Sequence, residues 1–418
     1  MTPVVRVPPT EDFTQFNALV LAQSSHFDLM VDWAGNECRK TDGLEGLTKP
    51  LVKKVEAASD FIGGKLKDCR KGMDTIQGKM YDASRTFQNT ETDNTAAFTS
   101  IFGGKLAGIP DISTITQHDL IGTFDDDNVI LKTPNVDTEY QEGALRMSKD
   151  LSAYHNQYKG VKGAKGPVSH ELTAIDKIYR FVTGHSLISQ LFEPLAGDWG
   201  RLSYLHEAYK TLSDGCYTVS ANLTKGLWKL GGEWEGEGGE AFDSYMFKWS
   251  QGIGGIGDYA RVVADACDVG YHAILMLVRS AVTAIDALIN KALDLLKDKV
   301  EKMAAKMAAI EVVGGGPEDP VADVVAVGFA LWDIIDIYKK VNTIVNDVAR
   351  IVGIFTNIST KIDEISKALD PVAYNVQEFF APGSQSISDW FSQSVVSPES
   401  KPGWNPALGM ARVKMLPQ

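Results

Sequence analysis

From Leu205 to Met307 apolar residues return every three or four positions, and this regularity constrains the fold more than any other feature of the chain. The first run is Leu205, Tyr209, Leu212, Cys216, Val219, Leu223, Leu227, Leu230 and Trp234. A turn composition, EGEGG at 235–239, interrupts it. The stripe resumes at Phe242, Tyr245 and Trp249 and continues through Ile253, Ile256, Ala260, Val263, Cys267, Ile274, Leu277, Ala281, Ile285 and Leu288. A stripe this narrow requires a partner helix, so the two runs should fold back on each other as an antiparallel hairpin. Unbroken, the second arm would be a rod of roughly 100 Å at 1.5 Å per residue. A break is expected at Gly252–Gly257, GIGGIG, because each helical glycine costs about 1 kcal/mol relative to alanine. The alternative for these glycines is a close helix approach. They formally match GxGxxG, but they follow a helical pattern with no βαβ unit around them, so a dinucleotide site is not expected.

Other segments carry the same period. Val55, Ile62, Leu66, Cys69, Met73, Ile76, Met80, Ala83 and Phe87 form one face of a helix from Leu51, and the run Phe13–Trp33 should pack against it. Gly43, Gly46 and Pro50 supply the turn between them. The expected organisation is a helical region at 1–102, an irregular connector at 103–170 with a short helix near Tyr140–Tyr158, and a long hairpin at 171–313. A Gly/Pro linker follows at 314–320, then a long C-terminal helix at 321–370 and an extended tail at 371–418. No block alternates with period two. The expected class is all-α, an elongated bundle of long antiparallel helices.

Charge and motifs exclude several functions. With 54 Asp and Glu against 41 Lys and Arg the 418-residue chain carries a formal charge of -13, which opposes phosphate-backbone binding and makes nucleic acid an unexpected partner. The start, MTPVVRVPPTEDF, places prolines and acids where a Sec signal needs an apolar core. The apolar stretches Ala273–Ile289 and Val321–Ile337 carry Arg279, Asp286, Asp323, Asp333 and Asp336, and both are read as buried helix rather than as membrane spans. The seven histidines lack zincin spacing, and Walker, GxSxG and CxxC motifs are missing, so no catalytic residue, cofactor site or metal site is assigned. Asp125-Asp126-Asp127 lacks the spacing of a calcium loop and reads as a solvated acidic loop. Glu233, Glu235, Glu237 and Glu240 gather where acids suit a helix N-terminus. Two disulfides are conceivable, Cys38 with Cys69 and Cys216 with Cys267, against four buried free thiols. An ideal hairpin turning at Gly236 sets Cys216 opposite a residue near Ile256, so the second bridge would need extra length absorbed at Gly252–Gly257.

Trp234-Glu235-Gly236, set between two striped helices and followed by Ala241-Phe242, resembles the WXG family of type VII (ESX-like) secretion substrates. The match spans roughly Leu187–Ile310, and the introduction by Glu193-Pro194-Leu195-Ala196-Gly197-Asp198-Trp199 is similar to larger actinobacterial proteins that embed a WXG-like hairpin. Trp33-Ala34-Gly35 is a second Trp-x-Gly tripeptide. Gly238-Gly239 departs from the alanines usual in the family. The resemblance also implies a Tyr-x-x-x-Asp/Glu export element, which only Tyr374 with Glu378 satisfies.

What the resemblance implies is a non-enzymatic secreted effector or partner protein, cytoplasmic before export. It would leave by the type VII route without a Sec signal and engage a secretion ATPase and a helical partner or a second copy. Two other readings stay open. One is an α-helical pore-forming toxin that inserts Val321–Ile337 into a membrane. The other is a cytoplasmic coiled-coil scaffold.

Overall fold

The computed structural model describes residues 6–89, 95–103, 105, 111–114, 122–134, 170–313 and 331–369. Eight α-helices and two short 3-10 turns lie in these segments, with no strand among the described residues, and the all-α class is established. The helices are α1 Thr10–Asn36, α2 Leu51–Asn89, α3 Thr95–Phe102, α4 His170–Thr183, α5 Leu187–Phe192, α6 Gly200–Gly232, α7 Glu237–Val313 and α8 Leu331–Ala368.

Three antiparallel pairings build the bundle. In the first, α1 lies along α2: the Ser59 hydroxyl donates to the Ala34 carbonyl at 2.7 Å, and Arg70 meets Asp28 at 3.3 Å. The second is α6 against α7. His206 Nδ1 sits 2.9 Å from the Ala264 carbonyl, and the hydroxyls of Ser220 and Ser250 each donate to the other's carbonyl at 2.8 and 3.0 Å. The third joins α8 to the far part of α7, through the Tyr259 hydroxyl on the Leu369 carbonyl at 3.2 Å and the Lys291–Asp347 ion pair at 2.7 Å. The Trp33 indole donates to the Ala208 carbonyl at 2.9 Å, so α1 also runs against α6 and the first two hairpins share one core.

The expected break at Gly252–Gly257 does not occur. Helix α7 is continuous for 77 residues, about 115 Å at 1.5 Å per residue. Residues 251–260 are all buried. A Cβ on Gly257 would lie 3.1 Å from Cys216 Cβ and 3.0 Å from Tyr217 Cε1. The glycines therefore serve close approach of α6, and the helix-breaking cost is met by packing on every side.

The same register decides the cysteines. All four are free and buried. Cys216 lies beside Gly257, ten residues before Cys267, or roughly 15 Å along the axis of α7. Arg39 reaches Asp60, which places Cys38 about nine residues, roughly 13 Å, from Cys69 along α2. Neither conceivable bridge is formed. Burial pushes the Cys69 and Cys267 thiols up to about 12, and burial together with the neighbouring Cys267 raises Cys38 well above the ordinary thiol range, leaving these groups inert at neutral pH.

Two apolar stretches need separate treatment. Ala273–Ile289 is buried on one face only, through Ile274, Leu275, Val278, Ala281, Ile285 and Leu288, while Met276 on the other face is 72% exposed and Arg279 points to solvent. Its reading as a buried helix is corrected to an amphipathic one. Of Val321–Ile337, residues 321–330 lie outside the described residues, and Ile337 is buried against the core.

Parts of the connector are described. Ile112 is buried in a 3-10 turn, and residues 122–134 form an extended strap packed through Phe124, Val129 and Leu131. The short helix expected near Tyr140–Tyr158 lies outside the described residues.

Candidate functional site: the covered Trp234 turn

Helix α6 ends at Gly232, and the Trp234 amide donates to the Gly231 carbonyl at 3.1 Å, closing the last turn. Gly236 then takes φ +94°, the left-handed conformation that glycine adopts without a Cβ penalty. The Glu240 amide reaches back to the Gly236 carbonyl at 3.0 Å and α7 begins, with Glu237 and Glu240 in its first turn where the helix dipole favours acids. The two arms on either side of Trp234 thus form the hairpin expected from the stripe. By contrast, Trp33-Ala34-Gly35 lies inside α1 and makes no turn.

The Trp234 side chain is 1% exposed. Its ring stacks on Phe242 at 5.4 Å with a 24° interplanar angle. Four more rings meet it at edge-to-face angles: Phe13 at 5.3 Å, Phe87 at 5.3 Å, Phe98 at 5.1 Å and Phe102 at 5.8 Å. These come from α1, α2, α3 and α7, so one indole ties four helices to the end of the fifth. Such pairs add about 0.5–1.5 kcal/mol each beyond the area they bury. Phe13, Phe87 and Phe98 were not singled out for this role in the sequence. The only signal available there was the placement of aromatics at the ends of helical stripes.

Gly238-Gly239 now has a physical account. A Cβ on Gly238 would lie 2.9 Å from Phe98 Cδ2, and one on Gly239 would overlap the Trp234 carbonyl oxygen. Alanine at either position would force a shift, of the Phe98 ring at Gly238 and of the turn backbone at Gly239.

Carboxylates surround the turn. Asp243, fully buried, accepts a hydrogen bond from the Ile112 amide at 3.1 Å through Oδ2, while its Oδ1 has no hydrogen-bond partner among the described residues and packs at Gly231. Burial raises it well above the usual carboxylate range, helped by the charges of Asp111 and Glu240 and opposed by the Ile112 bond and Lys105. It follows Phe242 directly in the stripe, a position that gives no hint of complete burial. At the turn itself Lys229 pairs with Glu233, and Lys105 meets Glu240 at 2.8 Å.

The acidic loop is tied down rather than simply solvated. Asp126 Oδ1 accepts from Gln23 at 2.7 Å and from Asn222 at 3.0 Å, and its Oδ2 lies 3.6 Å from His26 Nε2. Asn222 also donates to the Asp127 carbonyl at 2.9 Å, and Lys225 pairs with the Asp127 carboxylate. These groups satisfy one another across α1, α6 and the strap, so they hold the strap in place. Among the described residues no group of three His, Cys, Asp or Glu side chains could hold a metal ion. Tyr374 and Glu378 lie outside the described residues, so the structure does not place them relative to Trp234.

Compared with known protein families, with curated proteins and with solved structures, the chain matches none.

Proposed function

We propose that this chain is a non-enzymatic helical protein of a type VII (ESX-like) secretion pathway, an exported substrate or partner that acts through its helical surfaces. The observation that carries the reading is the hairpin: an apolar-striped helix, a Trp-x-Gly turn with glycine at positive φ, and a second striped helix packed back on the first. The resemblance at Trp234 and Gly236 supplies the pathway. Under this reading the secretion ATPase and a helical partner are the macromolecules to look for, and Tyr374 with Glu378 is the candidate second half of the export signal. Culture supernatants of wild-type and secretion-ATPase-deficient cells test it: the protein should disappear from the second, and equal amounts in both would reject the pathway.

A second reading has its own support. Within Glu237–Leu295 an 18-residue window of α7 reaches a mean hydropathy of 1.6 while only 33% of it is buried, which suits a helix that leaves the bundle for a bilayer. Purified protein would then release dye from anionic liposomes, and retention of dye across acidic and neutral pH would remove this alternative.

A further inference from the structure

We infer that the groove between α1 and α6 is a docking site for an extended acidic segment, with residues 122–134 as its displaceable resident and the same strap of a second copy of this chain as the occupant that replaces it. This inference goes beyond the secretion reading and does not depend on it.

The groove reads its occupant in three ways. Asn222, fully buried on α6, pairs with the strap as a neighbouring strand would: its Oδ1 accepts from the Asp127 amide at 3.2 Å and its Nδ2 donates to the Asp127 carbonyl at 2.9 Å. Main-chain pairing of this kind holds an extended peptide, and pockets for its side chains then give selectivity. The Asp126 carboxylate is the first such feature. Its Oδ1 accepts from Gln23 on α1 at 2.7 Å and from Asn222 at 3.0 Å, and Oδ2 lies 3.6 Å from His26 Nε2. Gln23 is fully buried and aimed by a bond from its Nε2 to the Leu19 carbonyl at 3.1 Å, while Lys225 adds an ion pair to Asp127. Apolar contacts flank the acids. The Phe124 ring meets Phe16 edge-on at 6.4 Å, and Val129 sits over Gly215, where a Cβ would come 3.1 Å from Val129 Cγ1. The pattern read is an aromatic residue at 124, aspartates at 126 and 127 and an aliphatic residue at 129.

The groove belongs to the core, but its occupant lies at the surface. Phe16, Gln23, Met30 and Asn222 are fully buried, whereas no residue of 122–134 is, and Ile130 is exposed. Among the described residues the strap has one backbone–backbone bond to the bundle, from the Thr123 amide to the Lys225 carbonyl at 3.3 Å. The Lys225–Asp127 pair is mostly exposed on the aspartate side and adds little to the hold. From the groove's side the contact matters more. Three of the four hydrogen bonds of Asn222 among the described residues go to the strap, the fourth to Gln23, so an empty groove strips a core amide of most of its partners. The groove therefore requires an extended chain, while this particular segment is joined to it by few contacts. A second copy brings a strap with the same side chains in the same order. Exchange then replaces each contact with an identical one, which makes swapping an element between copies a low-cost route to association. Within one chain the tether holds the strap at an effective concentration of about millimolar, so the closed form prevails in dilute solution and the second copy's strap enters once the resident is disabled.

Fluorescence anisotropy of a labelled peptide of residues 122–134 tests the groove. A full chain carrying Phe124→Ser, Asp126→Ala and Asp127→Ala has its own strap disabled and should bind the peptide at least about tenfold more tightly than the wild type, whose tethered strap competes. Alanine at both aspartate positions of the peptide should abolish that binding. All three substitutions lie on exposed or half-buried residues. Asp127→Lys, which sets an ammonium group against Lys225, is a second strap-disabled chain and should give the same order of affinities. Equal binding to the wild type and both disabled chains, no binding to any of them, or binding that survives loss of the peptide's aspartates would overturn the docking site. The second copy is tested by mixing the strap-disabled chain with Lys225→Glu, whose strap is intact and whose groove repels Asp127. Light scattering at concentrations above the peptide's dissociation constant should show a species of twice the mass that neither variant forms alone. Masses unchanged on mixing would overturn the second copy as the occupant. Either failure leaves the secretion reading standing, because that is decided by export from cells.

Discussion

Trp234→Ala should cost about 3–5 kcal/mol of folding stability, the range for deleting a large aromatic from a packed core. The side chain is among the largest fully buried ones, and its removal leaves Phe13, Phe87, Phe98, Phe102 and Phe242 facing a common void. These rings sit on four helices that cannot all close inward, because α1, α2 and α7 are each fixed along their length by pairings far from the turn. Urea denaturation followed by circular dichroism should show the midpoint falling with the slope unchanged. A loss under about 1 kcal/mol would mean that the cluster repacks around the cavity, and that the turn does not depend on its tryptophan.

Gly239→Ala should destabilise by about 2 kcal/mol, against the gain of roughly 1 kcal/mol that glycine-to-alanine brings in an open helix. The added methyl group would overlap the backbone carbonyl oxygen of Trp234 and press on its ring edge at 3.2 Å. Backbone cannot rotate aside as a flexible side chain can, so the start of α7 must shift away from the turn. Gly78→Ala on the exposed side of α2 is the matched control, since a Cβ there meets nothing within 4 Å, and it should raise the melting temperature slightly. If both substitutions stabilise the protein alike, the close wrap of the turn is not present in solution.

These outcomes bear on how far the residues spoke for themselves. The stripe around Trp234 led directly to the hairpin, and the expected neighbour of Cys216, near Ile256, is within one position of the observed Gly257. Periodicity works here because an α-helix repeats every 3.6 residues whatever its surroundings, so a sustained apolar stripe has one way to be buried. The same logic carried α1 against α2 and the turn at Gly43 and Gly46. It failed at Gly252–Gly257, where intrinsic propensity argued for a break and packing kept the helix whole, and at Ala273–Ile289, read as buried helix, where only one face is covered by neighbours.

The site was legible in part. Trp234 and Gly236 stood out because a turn between stripes is a local pattern. The five rings around the indole, the buried Asp243 and the thiols left apart by register could not be read the same way. Each is a meeting of residues tens to hundreds of positions apart, and no local period encodes which helix ends come together.

By itself, then, the order of residues set the helical class, the position of the Trp234 turn and the pairing of its two arms, because those depend on short-range periodicity and on the conformational freedom of glycine. Which side chains cover that turn was decided by the packing of α1, α2 and α3 against the hairpin, and the crowding at Gly239 by the path of the turn past the Trp234 carbonyl. Burial and close contact are properties of the assembled core, and they come into being only when distant segments share it.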